Sequence, residues 1–91
     1  MTNLAELWEA REYMDRETPL LDFVKEELLR GRKADLSADD DLLSTGIIDS
    51  LGILRLVSFI EEQFGIQVPD QDVIYENFKS IKILVDYLKQ Y

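Results

Sequence analysis

The stretch DLLSTGIIDSLGILRLVSFIEEQFG, from Asp41 to Gly65, decides the fold of this chain. Its second half places apolar residues at the i, i+3, i+4, i+7 and i+11 positions of a helix, which are Ile53, Leu56, Val57, Ile60 and Phe64. Asp49 precedes this run as a helix-capping residue, and Gly65 follows it as the stop. The stretch therefore predicts a helix over about Ser50 to Phe64 with one face toward a core.

Two further helices are predicted on either side of this stretch. Thr18 is expected to cap the first, with Pro19 at its first position and Gly31 as a left-handed C-cap. Its apolar residues are Leu20, Leu21, Phe23, Val24, Leu28 and Leu29. Ser80 is expected to cap the last helix, whose apolar face is Ile81, Leu84, Val85 and Leu88.

Residues 32–48 do not follow a helical pattern. Polar residues dominate there, but apolar residues interrupt them at Leu36, Leu42, Leu43, Ile47 and Ile48. A long connection with apolar anchors predicts an ordered loop lying across the core, with a backbone turn at Gly46. After the second main helix, Asp70 is expected to cap a short helix or turn through about Glu76.

The chain divides into an N-terminal helical extension, residues 1–17, and a domain, residues 18–91. The extension contains the helix-prone segment LAELWEAREYM, with Leu4, Leu7 and Trp8 on one face. Trp8 either packs against its own domain or anchors a partner. Since no alternating strand pattern is convincing, we predict an all-α bundle of three main helices and one short helix.

Composition narrows the function. The 91 residues contain no cysteine and no histidine, and their formal net charge is −9. Such an acidic chain repels nucleic-acid phosphates and anionic lipids, so no nucleic-acid partner is expected. No apolar run reaches the roughly 18–20 residues of a membrane span, and no signal peptide follows Met1. We expect no membrane span and a cytoplasmic location.

The acidic loop DLSADDDLLSTG raises the possibility of calcium binding. Counted from Asp35 as an EF-hand loop, position 6 is Asp40 and position 12 is Gly46, so the required glycine and glutamate are missing. A solvated acidic loop is therefore favoured and no metal site is predicted; a calcium-responsive module is the weakest alternative. No catalytic residue is predicted either, because Ser50 has no imidazole to deprotonate it.

Ser50 has a second interpretation as an acceptor of a group attached by another protein. It is the first residue after the Asp49 cap, at a helix N-terminus. Free backbone N–H groups and the positive end of the helix dipole favour an anion there, such as a phosphodiester. The dipeptide alone favours an ordinary helix start without a further function, so the wider pattern has to decide.

That wider pattern resembles the phosphopantetheine-dependent carrier proteins, the acyl and peptidyl carrier family. Leu42-x-x-x-Gly46 precedes Asp49-Ser50-Leu51, and an apolar helix then ends in Glu61-Glu62-Gln63-Phe64-Gly65. Ile66-x-Val68-Pro69, a short acidic helix and Phe78-x-Ser80-Ile81 follow in the family's order. The resemblance covers about Thr18 to Leu88. It implies a four-helix bundle of the acyl-carrier type with a long loop between the first two main helices.

The resemblance also implies the function. In the family, the serine matching Ser50 carries 4′-phosphopantetheine, which a phosphopantetheinyl transferase donates from coenzyme A. The acid matching Asp49 assists the transfer, and the thiol of the arm holds the cargo as a thioester. The expected partners are this transferase, an acyl- or aminoacyl-loading ligase or adenylating enzyme, and downstream tailoring or condensing enzymes. The chain is thus expected to be a substrate of enzymes rather than an enzyme.

The residues after Ser50 refine the type of carrier. Fatty-acid-type carriers tend to have acids along the exposed face of this helix, whereas Gly52 and Arg55 stand there in this chain. The stretch is thus more similar to peptidyl or aminoacyl carriers, including freestanding ones.

Helical spacing turns four side chains away from the core beside Ser50. These residues, Leu51, Leu54, Arg55 and Ser58, are expected to bind partners unless the loop 32–48 covers them. An unmodified acidic helical adaptor for protein–protein interaction is the alternative function.

Overall fold

A computed structural model describes residues 15–91 of the chain. Helix α1 covers Glu17–Phe23 and continues as a π-helical segment, Val24–Leu28. Helix α2 covers Ser50–Phe64, a 3₁₀ turn covers Asp70–Asp72, α3 covers Tyr75–Phe78 and α4 covers Ile81–Leu88. No strand occurs in this part of the chain. The expected all-α bundle with a long first loop is confirmed.

One hydrophobic core joins the helices to the segments between them. The buried apolar residues are Leu20, Val24, Leu29, Leu36, Leu42, Ile48, Leu56, Ile60, Ile66, Val68, Phe78, Ile81, Leu84 and Leu88. Since they include three residues of the first loop, that loop is part of the core rather than a linker. The prediction of an ordered loop across the core is confirmed, although Leu43 and Ile47 are only partly buried.

Helix α1 begins earlier than predicted. Glu17 is its first residue, and the carboxylate of Asp15 accepts hydrogen bonds from the backbone N–H groups of Glu17 and Thr18 at 2.9 and 3.2 Å. The prediction of Thr18 as the cap is therefore wrong, because an upstream aspartate already satisfies the free donors. Pro19 lies in the first turn instead of at the first position, where its missing N–H still costs nothing. These bonds hold the pKa of Asp15 below its usual range.

Gly31 has the predicted left-handed conformation, with a φ of 77°, but the prediction that it is the C-cap is wrong, because the helical segment ends at Leu28 and its C-cap is Leu29. The π-helical segment makes a wide turn, in which Leu29 N–H donates to the carbonyl of Val24 at 2.9 Å. Gly31 N–H then donates to the carbonyl of Lys25 at 2.9 Å, and Arg30 also has a positive φ of 50°. The chain thereby turns away from α1 into the long loop.

Helix α2 has the predicted bounds, but its buried face is rotated from the predicted one. Only Leu56 and Ile60 of the predicted face are fully buried, and Gly52 joins them at the same i, i+4, i+8 spacing. Ile53, Val57 and Phe64 are partly buried. The placement of Gly52 on the exposed face is therefore wrong: a Cβ there would lie 3.3 Å from the Cβ of Ile48.

The region after α2 differs from the prediction at its first helix. Asp70 does not cap it: the 3₁₀ turn has Pro69 at its N-cap position and makes no side-chain capping bond. Ile74 is extended, with φ −128° and ψ 161°, so α3 starts as a separate helix. The last cap is confirmed, since the hydroxyl of Ser80 accepts from the backbone N–H of Ile83 at 3.2 Å.

Residues 1–14 lie outside the described part of the chain, including Leu4, Leu7 and Trp8. The N-terminal helical extension and the division at residues 17 and 18 therefore stay predictions. Within residues 15–91, every helix is too short or too polar to cross a membrane.

Candidate functional site

The candidate site lies where the long loop enters α2. Ser50 is the first residue of α2 and is exposed. The cap is made by its neighbour: Asp49 Oδ1 accepts a hydrogen bond from the backbone N–H of Gly52 at 2.8 Å. Because Asp49 satisfies the helix start, the hydroxyl of Ser50 is not needed as a capping group.

The loop places Ser50 by anchoring the residues just before it. Ile48 is buried, and its N–H donates to the carbonyl of Leu42 at 3.0 Å, which closes a tight loop. Gly46, at the turn of this loop, has a φ of 73°, a conformation that glycine adopts without strain. Leu42 is buried too, and its N–H donates to the carbonyl of Lys79 at 2.8 Å. Ser50 is thus fixed to both α2 and the C-terminal part of the chain.

An open groove of about 780 Å³ starts at Ser50 and runs between α2, the loop and α3. Its lining is mostly apolar and consists of Leu43, Gly46, Ile48, Asp49, Ser50, Ile53, Leu54, Val73, Ile74, Tyr75 and Phe78. A groove of this size next to an exposed hydroxyl leaves room for a long, flexible group attached there.

One edge of the groove is held by a hydrogen bond between Asp41 and Tyr75. The Tyr75 hydroxyl donates to Asp41 Oδ2 at 2.6 Å, which joins the long loop to α3. This bond is the main reason that the pKa of Asp41 lies well below its usual range, with bonds from Ser44 adding to it. The same bond raises the pKa of Tyr75.

The three consecutive aspartates of the loop make separate contacts within the protein. Asp39 forms an ion pair with Lys82 at 3.7 Å, and Asp40 accepts from the backbone N–H of Ser37 at 2.9 Å. Asp41 is bound to Tyr75, as described above. Among residues 15–91, no group of three or more potential ligands is placed to hold a metal ion. The acidic run is therefore explained by loop structure.

On the other side of Ser50, α2 presents the four residues expected to bind partners. Leu51 and Leu54 are 66% and 62% exposed, and Arg55 and Ser58 are exposed as well. The loop 32–48 does not cover them. The structure confirms that these residues share one exposed face next to Ser50; their role in binding stays a prediction.

A family model described as a phosphopantetheine attachment site matches residues 19–88. The chain belongs to the phosphopantetheine-dependent carrier proteins. The match includes the whole of α2, the long loop and both later helices, so it covers the same elements that build the site.

Individual relatives of the carrier protein support the same family assignment. It is 33% identical over 52 residues to a D-alanyl carrier protein of Streptococcus uberis, covering 57% of this chain and 66% of that one. It is 38% identical over 58 residues to an acyl carrier protein of Bdellovibrio bacteriovorus, covering 64% of this chain and 67% of that one. The chain thus spans about two thirds of the length of these relatives.

A solved structure also has this fold. One chain of a structure described as "Crystal structure of FAD-dependent dehydrogenase" matches with a TM-score of 0.71 and 32% sequence identity. The match covers 76% of the carrier protein and 97% of that chain.

Membership of this family means that the carrier protein tethers acyl groups on a covalently attached 4′-phosphopantetheine. The site fits this group, because an exposed serine hydroxyl lies at the mouth of an apolar groove. Carrier proteins act with partner enzymes, such as transferases and ligases, and are in general not catalysts themselves.

Two residues around the site cannot be identified from the sequence. Nothing in the local sequence of Tyr75 indicates its bond to Asp41. Nothing in the local sequence of Arg32 indicates that it lines a surface hollow together with Arg55. Both pairings depend on the packing of distant segments, which leaves no local pattern.

Proposed function

We propose that the Oγ atom of Ser50 is the attachment point of 4′-phosphopantetheine and that Asp49 assists its transfer. One observation carries the proposal: Ser50 is exposed at the first position of α2, while the adjacent Asp49 makes the helix cap. The other serine near the C-terminal helices, Ser80, is buried and acts as a cap itself. Ser50 thus combines exposure, a helix start and an adjacent groove.

Attachment forms a phosphodiester between Ser50 Oγ and the pantetheine-bearing phosphate of coenzyme A, breaks the pyrophosphate bond and releases adenosine 3′,5′-bisphosphate. The Ser50 hydroxyl proton is lost in this step, and this chain has no histidine to accept it. The phosphopantetheinyl transferase is therefore expected to supply the base. Asp49 Oδ1 accepts the hydrogen bond from the backbone N–H of Gly52, so Oδ2 remains available to contact the transferase. Once attached, the arm supplies a thiol that holds cargo as a thioester.

We further propose an aminoacyl or peptidyl cargo, loaded by a ligase or adenylating enzyme. The likeness to a D-alanyl carrier protein supports an aminoacyl cargo, and so does Arg55 on a face where fatty-acid-type carriers tend to have acids. Because a structural relative comes from a structure described as an FAD-dependent dehydrogenase, a flavin-dependent oxidoreductase acting on the tethered cargo is a candidate downstream enzyme. The freestanding arrangement and cytoplasmic location stay predictions.

The proposed docking surface for these enzymes is the exposed face of α2, defined by Leu51, Leu54, Arg55 and Ser58. Two exposed leucines next to the attachment residue favour contact with an apolar patch on a partner. Arg55 provides a cation on a chain of net charge −9, which makes this face electrostatically distinct.

The attachment is tested by intact mass spectrometry after incubation with a phosphopantetheinyl transferase and coenzyme A. We expect the mass gain of one phosphopantetheine group and, by peptide mapping, its location on Ser50. Ser50→Ala should gain nothing. Ser58→Ala is the matched control, because Ser58 is also exposed on α2, and it should be modified like the wild type.

A mass gain retained in Ser50→Ala would refute the assignment. Complete absence of modification in the wild type would favour the alternative of an unmodified acidic adaptor. A thermal melt of Ser50→Ala should match that of the wild type, since Asp49 makes the cap, and this excludes misfolding as the cause of lost modification.

A further inference from the structure

A second hollow lies beside the attachment site, on the α1 side of α2. Its volume is about 260 Å³, and Arg32 and Arg55 both line it. The rest of the lining comes from the end of α1, the turn before α2 and the first turn of α2, and includes Leu28, Asp49, Leu51 and Gly52. Ser50 does not line this hollow, although Gly46, Ile48 and Asp49 line both the hollow and the groove proposed for the phosphopantetheine arm.

The end of α1 positions both guanidinium groups. Arg32 Nε donates to the carbonyl of Leu29 at 3.0 Å, and Arg55 Nη1 donates to the carbonyl of Glu27 at 3.4 Å. Carbonyls at a helix C-terminus lack helical donors and carry partial negative charge, so they attract cations. Each guanidinium has five N–H donors, so most of its donors remain for another ligand.

Neither arginine has a carboxylate partner within the described residues. The ion pairs of residues 15–91 are Lys33–Asp35, Lys82–Asp39 and Lys89–Asp86. Asp49 also lines the hollow, but it caps α2 and lies beyond ion-pair distance of both arginines. Two cations that line one hollow are thus each bonded to a backbone carbonyl near the end of α1, on a chain of net charge −9.

Gly52 keeps the hollow open. A Cβ at this position would lie 3.4 Å from Asp49 Oδ1 and 3.8 Å from Leu28 Cδ1, both of them in residues that line the hollow. Glycine there leaves space between α1 and α2, and the exposed Leu51 stands at the rim. A ligand entering the hollow would therefore meet two guanidiniums and an apolar edge.

We infer that this hollow receives an acidic side chain from the enzyme that loads the carrier protein, with Arg32 and Arg55 binding its carboxylate. The inference rests on the proposed function and deepens it by naming the chemistry of the partner. A protein carboxylate is favoured over a phosphate of coenzyme A because Leu51, which is 66% exposed, lines the hollow and offers an apolar contact to a protein surface beside the charge. A guanidinium binds a carboxylate in a forked, bidentate geometry that lysine cannot reproduce.

The test compares Arg32→Gln, Arg55→Gln and the double variant with the wild type. Lys82→Gln is the matched control, because it removes one positive charge from an exposed position on α4. Conversion to the holo form by a transferase and coenzyme A is measured first. Loading is then measured on holo protein with the adenylating enzyme that charges the wild type, at about 50 mM and about 500 mM salt.

We expect each arginine variant to lose about tenfold in kcat/KM for loading, mainly through KM for the carrier protein. The double variant should lose less than the product of the two single losses, because both groups bind one carboxylate. High salt should reduce the difference between wild type and variants. Conversion to the holo form should be unchanged, and Lys82→Gln should behave as the wild type in both steps.

Two results would overturn the inference. Arginine variants that load as well as the wild type would show that the hollow is not used in loading. Variants that instead raise the KM for coenzyme A in holo conversion would assign the hollow to a phosphate. The mass gain of the wild type is established beforehand, so failure of the proposed attachment at Ser50 is recognised separately from failure of this inference.

Discussion

At the residue scale, Asp49 and Ser50 are neighbours in sequence with different tasks. Asp49 bonds to the N–H of Gly52 and stabilises the start of α2. Ser50 is exposed and contributes a hydroxyl at the same helix end. This division allows a group to be attached to Ser50 without disturbing the cap, which a single serine in both roles would not allow.

Two substitutions test the capping bond of Asp49 and its proposed role in phosphopantetheine transfer. Asp49→Ala removes the cap and should lower the free energy of unfolding by about 0.5–2 kcal/mol. Asp49→Asn keeps a capping oxygen, so its stability in urea unfolding should stay close to that of the wild type, but phosphopantetheine transfer to it should be slower. Equal transfer rates for Asp49→Asn and the wild type would remove Asp49 from the transfer reaction.

At the scale of elements, α2 has two apolar sides with different uses. Gly52, Leu56 and Ile60 face the core, while Leu51 and Leu54 are exposed on the docking surface. Phe59 lies between these sides and stacks on Phe23 of α1, with ring centroids 4.3 Å apart. One helix therefore contributes both to stability and to the proposed recognition of partners.

Truncating one leucine on each side of α2 should affect stability in one case and loading in the other. Leu56 is 0% exposed, so Leu56→Ala should cost about 2–5 kcal/mol in the free energy of unfolding. Leu54→Ala should leave stability nearly unchanged but weaken loading about tenfold. Chemical denaturation and steady-state loading kinetics measure the two effects. A loss of stability at Leu54 comparable to that at Leu56 would contradict the assignment of the faces.

The long loop is bound to α3 by the hydrogen bond between Asp41 and Tyr75, and the contribution of this bond to stability can be tested. The pKa of Asp41 is lowered in the folded protein, chiefly by the Tyr75 hydroxyl. The unfolded chain therefore takes up a proton at Asp41 at higher pH than the folded chain does. The stabilisation from the Asp41–Tyr75 bond is therefore fully present at pH values above about 4, the usual pKa of an aspartate, and is lost as the pH falls below that value.

Tyr75→Phe removes the main cause of this shift. Its melting temperature should be slightly lower than that of the wild type at pH 7, and the difference should shrink as the pH is lowered from about 5 to about 2. Thermal melts over this range measure the effect, with Tyr91→Phe as a control away from the loop. A constant difference between Tyr75→Phe and the wild type at all pH values would show that Asp41 is not stabilised by this bond.

At the scale of the whole molecule, Arg16 connects the start of α1 to the C-terminal end. Its Nη1 donates to the carbonyl of Leu88 at 2.8 Å, and its guanidinium lies 5.7 Å from the centroid of the Phe64 ring. Three segments distant in sequence thus meet at one side chain. This contact closes the bundle at the end opposite the one where Arg55 reaches Glu27.

Arg16→Ala should therefore lower the free energy of unfolding by about 1–2 kcal/mol, through loss of a hydrogen bond and a cation–π contact. Lys89→Ala is a suitable control, because Lys89 is a largely exposed residue of the same end, paired with Asp86 at 3.4 Å, and should cost little. Urea unfolding of both variants makes the comparison. Equal stabilities would mean that the contact of Arg16 does not contribute to closing the bundle.

The sequence by itself determined the features that depend on local order. The bounds of α2, the cap at Asp49, the left-handed Gly31 and the cap at Ser80 all follow from neighbouring residue types and helical periodicity. The order of motifs around Asp49-Ser50-Leu51 was also sufficient to indicate the family. These features are readable because their partners lie within a few residues along the chain.

Only the tertiary structure decided the features that depend on contacts between packed segments. Competition between nearby acceptors gave the first N–H groups of α1 to Asp15 rather than Thr18, so that the helix begins at Glu17. Packing against α1 and Ile48 turned Gly52 inward. The bond between Asp41 and Tyr75, and the shared hollow of Arg32 and Arg55, join segments far apart in sequence. Contacts of this kind arise from the way whole helices and loops pack together, and periodicity along one segment carries no information about them.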